Sequence, residues 1–379
     1  MPSGTKEILL VGYGAVGACY AFILKRSGLA NVTVVARGNY DIVTAKGMDV
    51  HSEKYGKHDG WRPDRVVPSV SHACDRAYDY VIVATKAIPE LLRTPALLTP
   101  LLKSPYTDTC PQPTYVILQN GFNVEGDLYE AVRDLGHQPR ILGTTVYIGT
   151  KMEGPNKLIH SDFAHSSQDR VSVGMYRHED YATVVDSPEE EAATSEFANL
   201  IKAGGGEATP VPDIQRAKFS KLFWSIAFAS TAGLTRFPLT ALWCLPTASP
   251  SSTDSTPPSV SQGALIEEHS IPTLRGALME LVALGTALGF PQGESISPKF
   301  IETTFANTAA RHRKPDNGLM PSMLVDVLAG RPIEVEVIFG EVVRLARSYG
   351  VDTPRIDMMY ALLLVIQNQM LQERERRSS

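Results

Sequence analysis

The chain has 379 residues, enough for two domains that each bury a core and leave a cleft between them. Hydrophobic residues make up 43%, charged residues 20%, and the formal net charge is −5. That balance excludes a disordered or collagen-like chain and argues against nucleic acid as a partner, because a phosphate backbone asks for a strongly basic surface.

The first half alternates β-branched runs with helical patterns. Ile8–Val11 reads as a strand, a helix follows from Val16, and further strands are expected at Val32–Ala36, Val81–Ala84 and Tyr115–Gln119. Strand-like pieces at Val171–Val173 and Ala208–Val211 flank a helix over Glu189–Ala203. This order predicts an α/β Rossmann domain over residues 1–213, built on a doubly wound, mostly parallel sheet. Beyond Asp213 the strand signals stop. Phe219, Leu222, Phe223, Ile226 and Ala227 recur at helical spacing, as do Val335, Ile338, Phe339, Val342 and Val343, which predicts an all-α domain over 214–379. Within it, residues 246–261 are crowded with Pro, Ser and Thr and hold too few large apolar side chains to offset their ordering entropy; they read as a mobile surface insertion. The basic end, Arg374 to Arg377, reads as a solvated helix terminus.

Cys19, Cys74, Cys110 and Cys244 are far apart and form no CxxC pair, which speaks against a structural zinc and a disulfide framework. No run approaches the roughly 18 apolar residues of a membrane span. Few residues precede Ile8, leaving no room for a secretory leader, so a cytoplasmic protein without a membrane partner is expected.

Gly12, Gly14 and Gly17 form a G-x-G-x-x-G directly after the first strand and at the opening of a helix. The first glycine permits a tight turn, the second lets backbone approach a pyrophosphate, and the third lets the helix pack closely. Gly12, Gly14, Ala15, Val16 and Gly17 are therefore the expected dinucleotide-binding turn. At the end of the second strand, an NAD-selective site would carry an acidic residue for the ribose 2′-hydroxyl, but this chain has Arg37. A guanidinium suits a 2′-phosphate, so NADP(H) is the expected cofactor.

The segments LLVGYGAVG, VATKA around Lys86, LQNG around Asn120, KFSKL around Lys221 and SMLVDVLAGRPIEVE follow one another in an order and spacing that resemble the ketopantoate reductase (2-dehydropantoate 2-reductase) family. The resemblance implies a Rossmann domain followed by a helical domain, and an oxidoreductase that reduces ketopantoate to pantoate with NADPH, a step of pantothenate biosynthesis. It implies that Lys221 is the general acid and that Glu334 positions substrate and lysine. Lys86 and Asn120 would line the cofactor and substrate site, with Ser322 and Ser225 at substrate-contacting positions. The chemistry is consistent with the residue types: hydride arriving at a carbonyl carbon leaves charge on oxygen, which a protonated lysine can stabilise and then neutralise. Lys86 and Asn120 each follow a buried-looking strand at its carboxyl end, where open α/β sheets bind ligands.

The family carries asparagines where this chain has Ser225, Ala229 and Phe339. A site built to hydrogen-bond a hydroxy acid loses recognition when such amides go. Three readings stay open: a 2-keto acid reductase, a reductase of a larger ketone or imine in specialised biosynthesis, and a non-catalytic NADP-binding sensor. Lys221 and Glu334 argue against the sensor, since a binder has no use for an acid at its site. His160 and His165 have no carboxylate or cysteine to complete a metal set; the family has a histidine near His160, which reads as structural. Trp61 and the run from His51 to His58 yield no reading, and pairing into a homodimer is left open.

Overall fold

A computed structural model describes residues 4–161, 169–243, 262–291, 293, 295–314 and 319–378. The expected insertion at 246–261, Cys244 and His165 lie outside the described residues. The chain divides into two compact units, residues 1–218 and 219–379. The division falls five residues beyond the expected boundary, inside the helix Ile214–Trp224. Its physical cause is local: the first turn of that helix packs on the sheet through Ile214, which lies against Gly143 and Gly174.

Among the described residues the first unit contains twelve strands: β1 (Lys6–Val11), β2 (Ala30–Val35), β3 (Met48–Ser52), β4 (Gly56–Trp61), β5 (Arg65–Val67), β6 (Tyr80–Val83), β7 (Thr114–Ile117), β8 (Ile141–Ile148), β9 (Thr150–Met152), β10 (Lys157–His160), β11 (Asp169–Met175) and β12 (Glu207–Pro210). Eight of them form one sheet in the order β12-β11-β8-β7-β6-β1-β2-β5. Its neighbours run parallel except β8 and β11, which pair antiparallel from Ile148↔Asp169 to Leu142↔Met175. Parallel strands covered on both faces read as continuous apolar runs, and Ile8, Leu9, Leu10 and Val11 of β1 are all buried.

The helix Ala15–Arg26 covers one face of this sheet, joined by Pro188–Ala203. The second of these begins with a capping box in which Ser187 and Glu190 satisfy each other's backbone N–H, after which Pro188 opens the helix.

Trp61 and the run from His51 to His58, which gave no reading in the sequence, lie on and between β3 and β4 of a second sheet, in the order β4-β3-β10-β9. Its hairpin surrounds a core side chain: the ring of Phe22 lies 5.0 Å from His58, 5.4 Å from Trp61 and 5.6 Å from Tyr55. The turn after β3 is tied to the large sheet by Asp169. This fully buried carboxylate accepts from Lys54 Nζ at 2.8 Å, from the Tyr55 hydroxyl and from the Glu207 amide. His160 is buried as well, 2.8 Å from Ser52 Oγ and stacked on Tyr55, in the structural place expected for it.

Among its described residues the regular elements of the second unit are all helices, apart from one isolated bridge between Gly293 and Ile296. These described residues include three single π-helical turns, Ser225–Ala229, Ile266–Ser270 and Glu336–Gly340. Its core gathers Phe219, Phe223, Phe228, Leu281, Leu284, Phe305 and Phe339. No described helix is long and apolar enough to cross a membrane.

Candidate active site

The turn after β1 shows why glycine stands at two of its positions. Gly12 has φ +108°, and a Cβ there would lie 2.8 Å from the Thr85 backbone nitrogen. A Cβ on Gly17 would lie 1.9 Å from the Gly12 carbonyl oxygen, so this glycine lets the helix pack back onto the turn. Gly14 is different. It is the helix N-cap, in extended backbone with no capping side chain, and a Cβ there would meet nothing within 4 Å. The helix thus opens at Ala15 and Val16 with no capping side chain and with room at Gly14, which suits an approaching diphosphate. These residues fit a dinucleotide.

Arg37 stands just beyond β2 with its side chain exposed. Its loop is held beside the glycine turn: Asn39 Nδ2 donates to the Tyr13 carbonyl at 3.0 Å, and the Gly12 amide donates to the Val35 carbonyl at 3.3 Å. An exposed guanidinium on a loop tied to the glycine turn is chemically suited to a phosphate.

Lys86 and Asn120 follow β6, which neighbours β1, and β7, which lies beyond β6; all three strands run parallel, so both residues stand at the same sheet end as Gly12. Lys86 is exposed and Asn120 half-buried. The residues just before them are bonded to each other: Gln119 Nε2 donates to Thr85 Oγ1 at 3.1 Å, and Thr94 Oγ1 donates to Gln119 Oε1 at 3.4 Å. Gly121 then takes φ +101°, which lets the chain turn away directly after Asn120.

The helix Ile214–Trp224 carries two lysines one turn apart, and the structure separates them. Lys218 is buried against Glu125, whereas Lys221 is half-buried. Phe219, Leu222 and Phe223 face the core of the second unit, and Ser220 Oγ donates to the Ser295 carbonyl at 3.0 Å.

Glu334 is buried, at the end of a pinned segment. Arg331 Nε donates to Asp326 Oδ1 at 3.0 Å, and the Ile333 amide donates to Gln367 Oε1 at 2.8 Å. The π-helical turn that follows is clamped by Glu336, which accepts from the Tyr360 hydroxyl and from Arg344 Nη1 at 2.8 Å. This turn packs against the π-helical turn Ser225–Ala229, which packs in turn on the helix Ser322–Leu328. Elements bearing Ser225 and exposed Ser322 are thus brought together with the one that follows Glu334. Single π turns recur at functional sites because they re-aim side chains within a helix. Of the three positions at which the resemblance implies asparagine, Ser225 is half-buried, while Ala229 and Phe339 are buried.

Comparison with known proteins gives the same picture along the chain. The family described as Ketopantoate reductase PanE/ApbA matches residues 8–177, and its C-terminal counterpart, Ketopantoate reductase PanE/ApbA C terminal, matches residues 259–367. The chain belongs to the ketopantoate reductase family. Its relatives include an uncharacterized protein of Saccharomyces cerevisiae, 27% identical over 95% of this chain and 93% of that one. A 2-dehydropantoate 2-reductase of Nostoc is 25% identical over 94% of this chain and 93% of that one. Among solved structures, 2-dehydropantoate 2-reductase from Methylococcus capsulatus superposes with a TM-score of 0.71 at 24% identity, over 96% and 97% of the two chains. D-mandelate dehydrogenase with NADH and anilino(oxo)acetate superposes with a TM-score of 0.70 at 16% identity, over 96% and 99%. These structures establish the shared fold.

In this ketopantoate reductase family member, two features had no signal in the pattern of single residues. The π-helical turns interrupt the helical period by one residue, which a pattern of apolar positions absorbs without a visible break. Glu125 and Lys218 are 93 residues apart, and nothing in either neighbourhood marks them as partners.

Proposed function

We propose that the chain is an NADPH-dependent reductase of a 2-keto acid of the ketopantoate kind, or of a related ketone. The observation that carries this reading is Gly14: an N-cap glycine with no capping side chain and open space where a Cβ would stand, in a chain of this family. Gly12, Gly14, Ala15, Val16 and Gly17 would hold the diphosphate, Arg37 the 2′-phosphate, and Lys86 and Asn120 the nicotinamide side of the site and the substrate. When bound, NADPH supplies a hydride to the carbonyl carbon. Lys221 stabilises the charge that develops on the carbonyl oxygen and hands it a proton. Glu334 orients the lysine and the substrate, with Ser225 and Ser322 as hydrogen-bonding contacts.

One observation favours a larger, less polar ketone or an imine as the substrate. Where the family uses amides, this chain offers a hydroxyl at Ser225, a methyl at Ala229 and, at Phe339, a fully buried ring. The NADH complex of D-mandelate dehydrogenase makes the choice between NADP and NAD the second point to test.

The experiment is NADPH consumption by the purified protein, followed at its near-ultraviolet absorbance, against 2-keto acids including ketopantoate and against bulkier ketones and imines. Turnover of ketopantoate supports the first reading, and turnover confined to the bulkier compounds supports the second. Tight NADPH binding without turnover of any of them would make the chain a binder and not an enzyme.

A further inference from the structure

The first two turns of the helix Ile214–Trp224 are fixed with unusual closeness. Ile214 fits over two glycines: a Cβ on Gly174 would lie 2.9 Å from the Ile214 Cβ, and one on Gly143 would lie 3.3 Å from Ile214 Cγ1. Buried Gln215 accepts from the Arg177 amide at 3.2 Å and donates to the carbonyls of Arg177 and Asp180, the latter at 3.0 Å. One turn on, Lys218 Nζ donates to Glu125 Oε1, with side chains 2% and 0% exposed. Gly143 also makes room for this pair, since a Cβ there would lie 2.9 Å from Glu125 Oε1. The other carboxylate oxygen, Oε2, is buried and has no partner among the described residues.

Such a pair is a poor source of stability. Desolvating two charges costs several kcal/mol per ion, and an apolar pair of the same volume is often as stable or more so. What a directional, charged bond does provide is one register and one rotation, which interchangeable apolar contacts do not. The two residues also sit next to residues with chemical roles in the proposed reaction: Glu125 lies on the segment after β7, five positions beyond Asn120, and Lys218 lies one turn before Lys221 in the same helix.

We infer that Glu125 and Lys218 are positioning residues for Lys221, setting the rotation and register of the helix that presents its ammonium group. The inference rests on the reading of Lys221 as proton donor. A displacement of about 1 Å at a reacting group can cost on the order of a hundredfold in rate, so loosening this bond should lower the chemical step more than it lowers stability.

The test compares wild type, Glu125→Met/Lys218→Met and Lys221→Ala as full-length chains, on a substrate that the wild type turns over. The methionine pair leaves no lone buried charge, so it should melt close to wild type, bind NADPH within about twofold, and keep KM while losing kcat by about tenfold or more. Hydrogen–deuterium exchange of the peptide 214–224, which needs neither substrate nor cofactor, should quicken about tenfold in the same variant. If the methionine pair does not fold, Glu125→Gln/Lys218→Gln goes through the same measurements with the same expected losses. Wild-type kcat in the folded neutral pair, or unchanged exchange of that peptide, overturns the inference. Wild-type turnover by Lys221→Ala would instead remove the reading of Lys221 itself, and the exchange rates would then judge the pair alone.

Discussion

Gln119 and Thr85 are bonded side chain to side chain at 3.1 Å, each directly preceding a residue proposed for the site, Asn120 and Lys86. Thr85 is also the residue against which Gly12 packs, so one hydrogen bond links the ends of β6 and β7 to the glycine turn. Gln119 is buried, so Gln119→Leu leaves the Thr85 hydroxyl short of a partner and should cost about 1–2 kcal/mol of stability. Calorimetric titration should show NADPH binding weakened several-fold. An unchanged binding constant would mean that the bond does not position the two loops.

Gly14 and Gly17 separate cofactor binding from folding. Gly14→Ala adds a methyl group in open space, so the melting temperature should stay at the wild-type value while NADPH affinity falls by about tenfold, because the methyl stands where backbone must approach the diphosphate. Gly17→Ala forces a methyl onto the Gly12 carbonyl and should lower the melting temperature as well. If Gly14→Ala bound NADPH like wild type, the diphosphate would not sit at this helix terminus.

Arg37 carries the prediction of cofactor choice. Its exposed guanidinium can bond a 2′-phosphate but gains little from a ribose hydroxyl, so wild type should prefer NADPH, and Arg37→Ala should weaken NADPH by about 1.5–3 kcal/mol with little change for NADH. Equal affinities for the two cofactors in the wild type would contradict the NADP assignment.

His312 provides a pH dependence. It is buried against the Trp243 ring, and desolvation, helped by the nearby Arg311 charge, pushes its pKa down to about 4. Between its ordinary value near 6.5 and about 4, the unfolded chain binds a proton that the folded chain refuses. His312 therefore makes stability fall as the pH drops through that window, by at most about 1.4 kcal/mol per pH unit. Denaturant midpoints measured at pH 7 and pH 5 should show a smaller loss in His312→Phe than in wild type. Parallel losses would mean that His312 titrates normally.

The sequence revealed those parts of the molecule whose physical cause is local. β1, β2, β6 and β7 appeared as β-branched runs because parallel strands buried on both faces need no polar alternation, and the glycine turn was visible because its backbone demands are met by glycine at fixed spacing. The sheet β4-β3-β10-β9 stayed hidden because its strands are short and polar and its hairpin gains its apolar contacts from Phe22, a side chain of another element. Lys221 and Glu334 were named through family resemblance, since a lysine on a helix and a glutamate after a proline have ordinary readings of their own. Glu125 and Lys218 escaped both routes: their pairing is a product of the tertiary fold.

In the proposed reaction Lys221 and Glu334 act as a unit on the substrate carbonyl. A double-mutant cycle of single-turnover NADPH oxidation tests it most directly, alongside NADPH affinity for each variant. Lys221→Ala should slow the chemical step by about a hundredfold to a thousandfold with NADPH affinity near wild type, because the lysine acts on charge present only in the transition state. Glu334→Ala should raise KM and lower kcat together, and the double variant should be little worse than the worse single one. Losses that simply multiply, or wild-type turnover by Lys221→Ala on a verified substrate, would contradict the account.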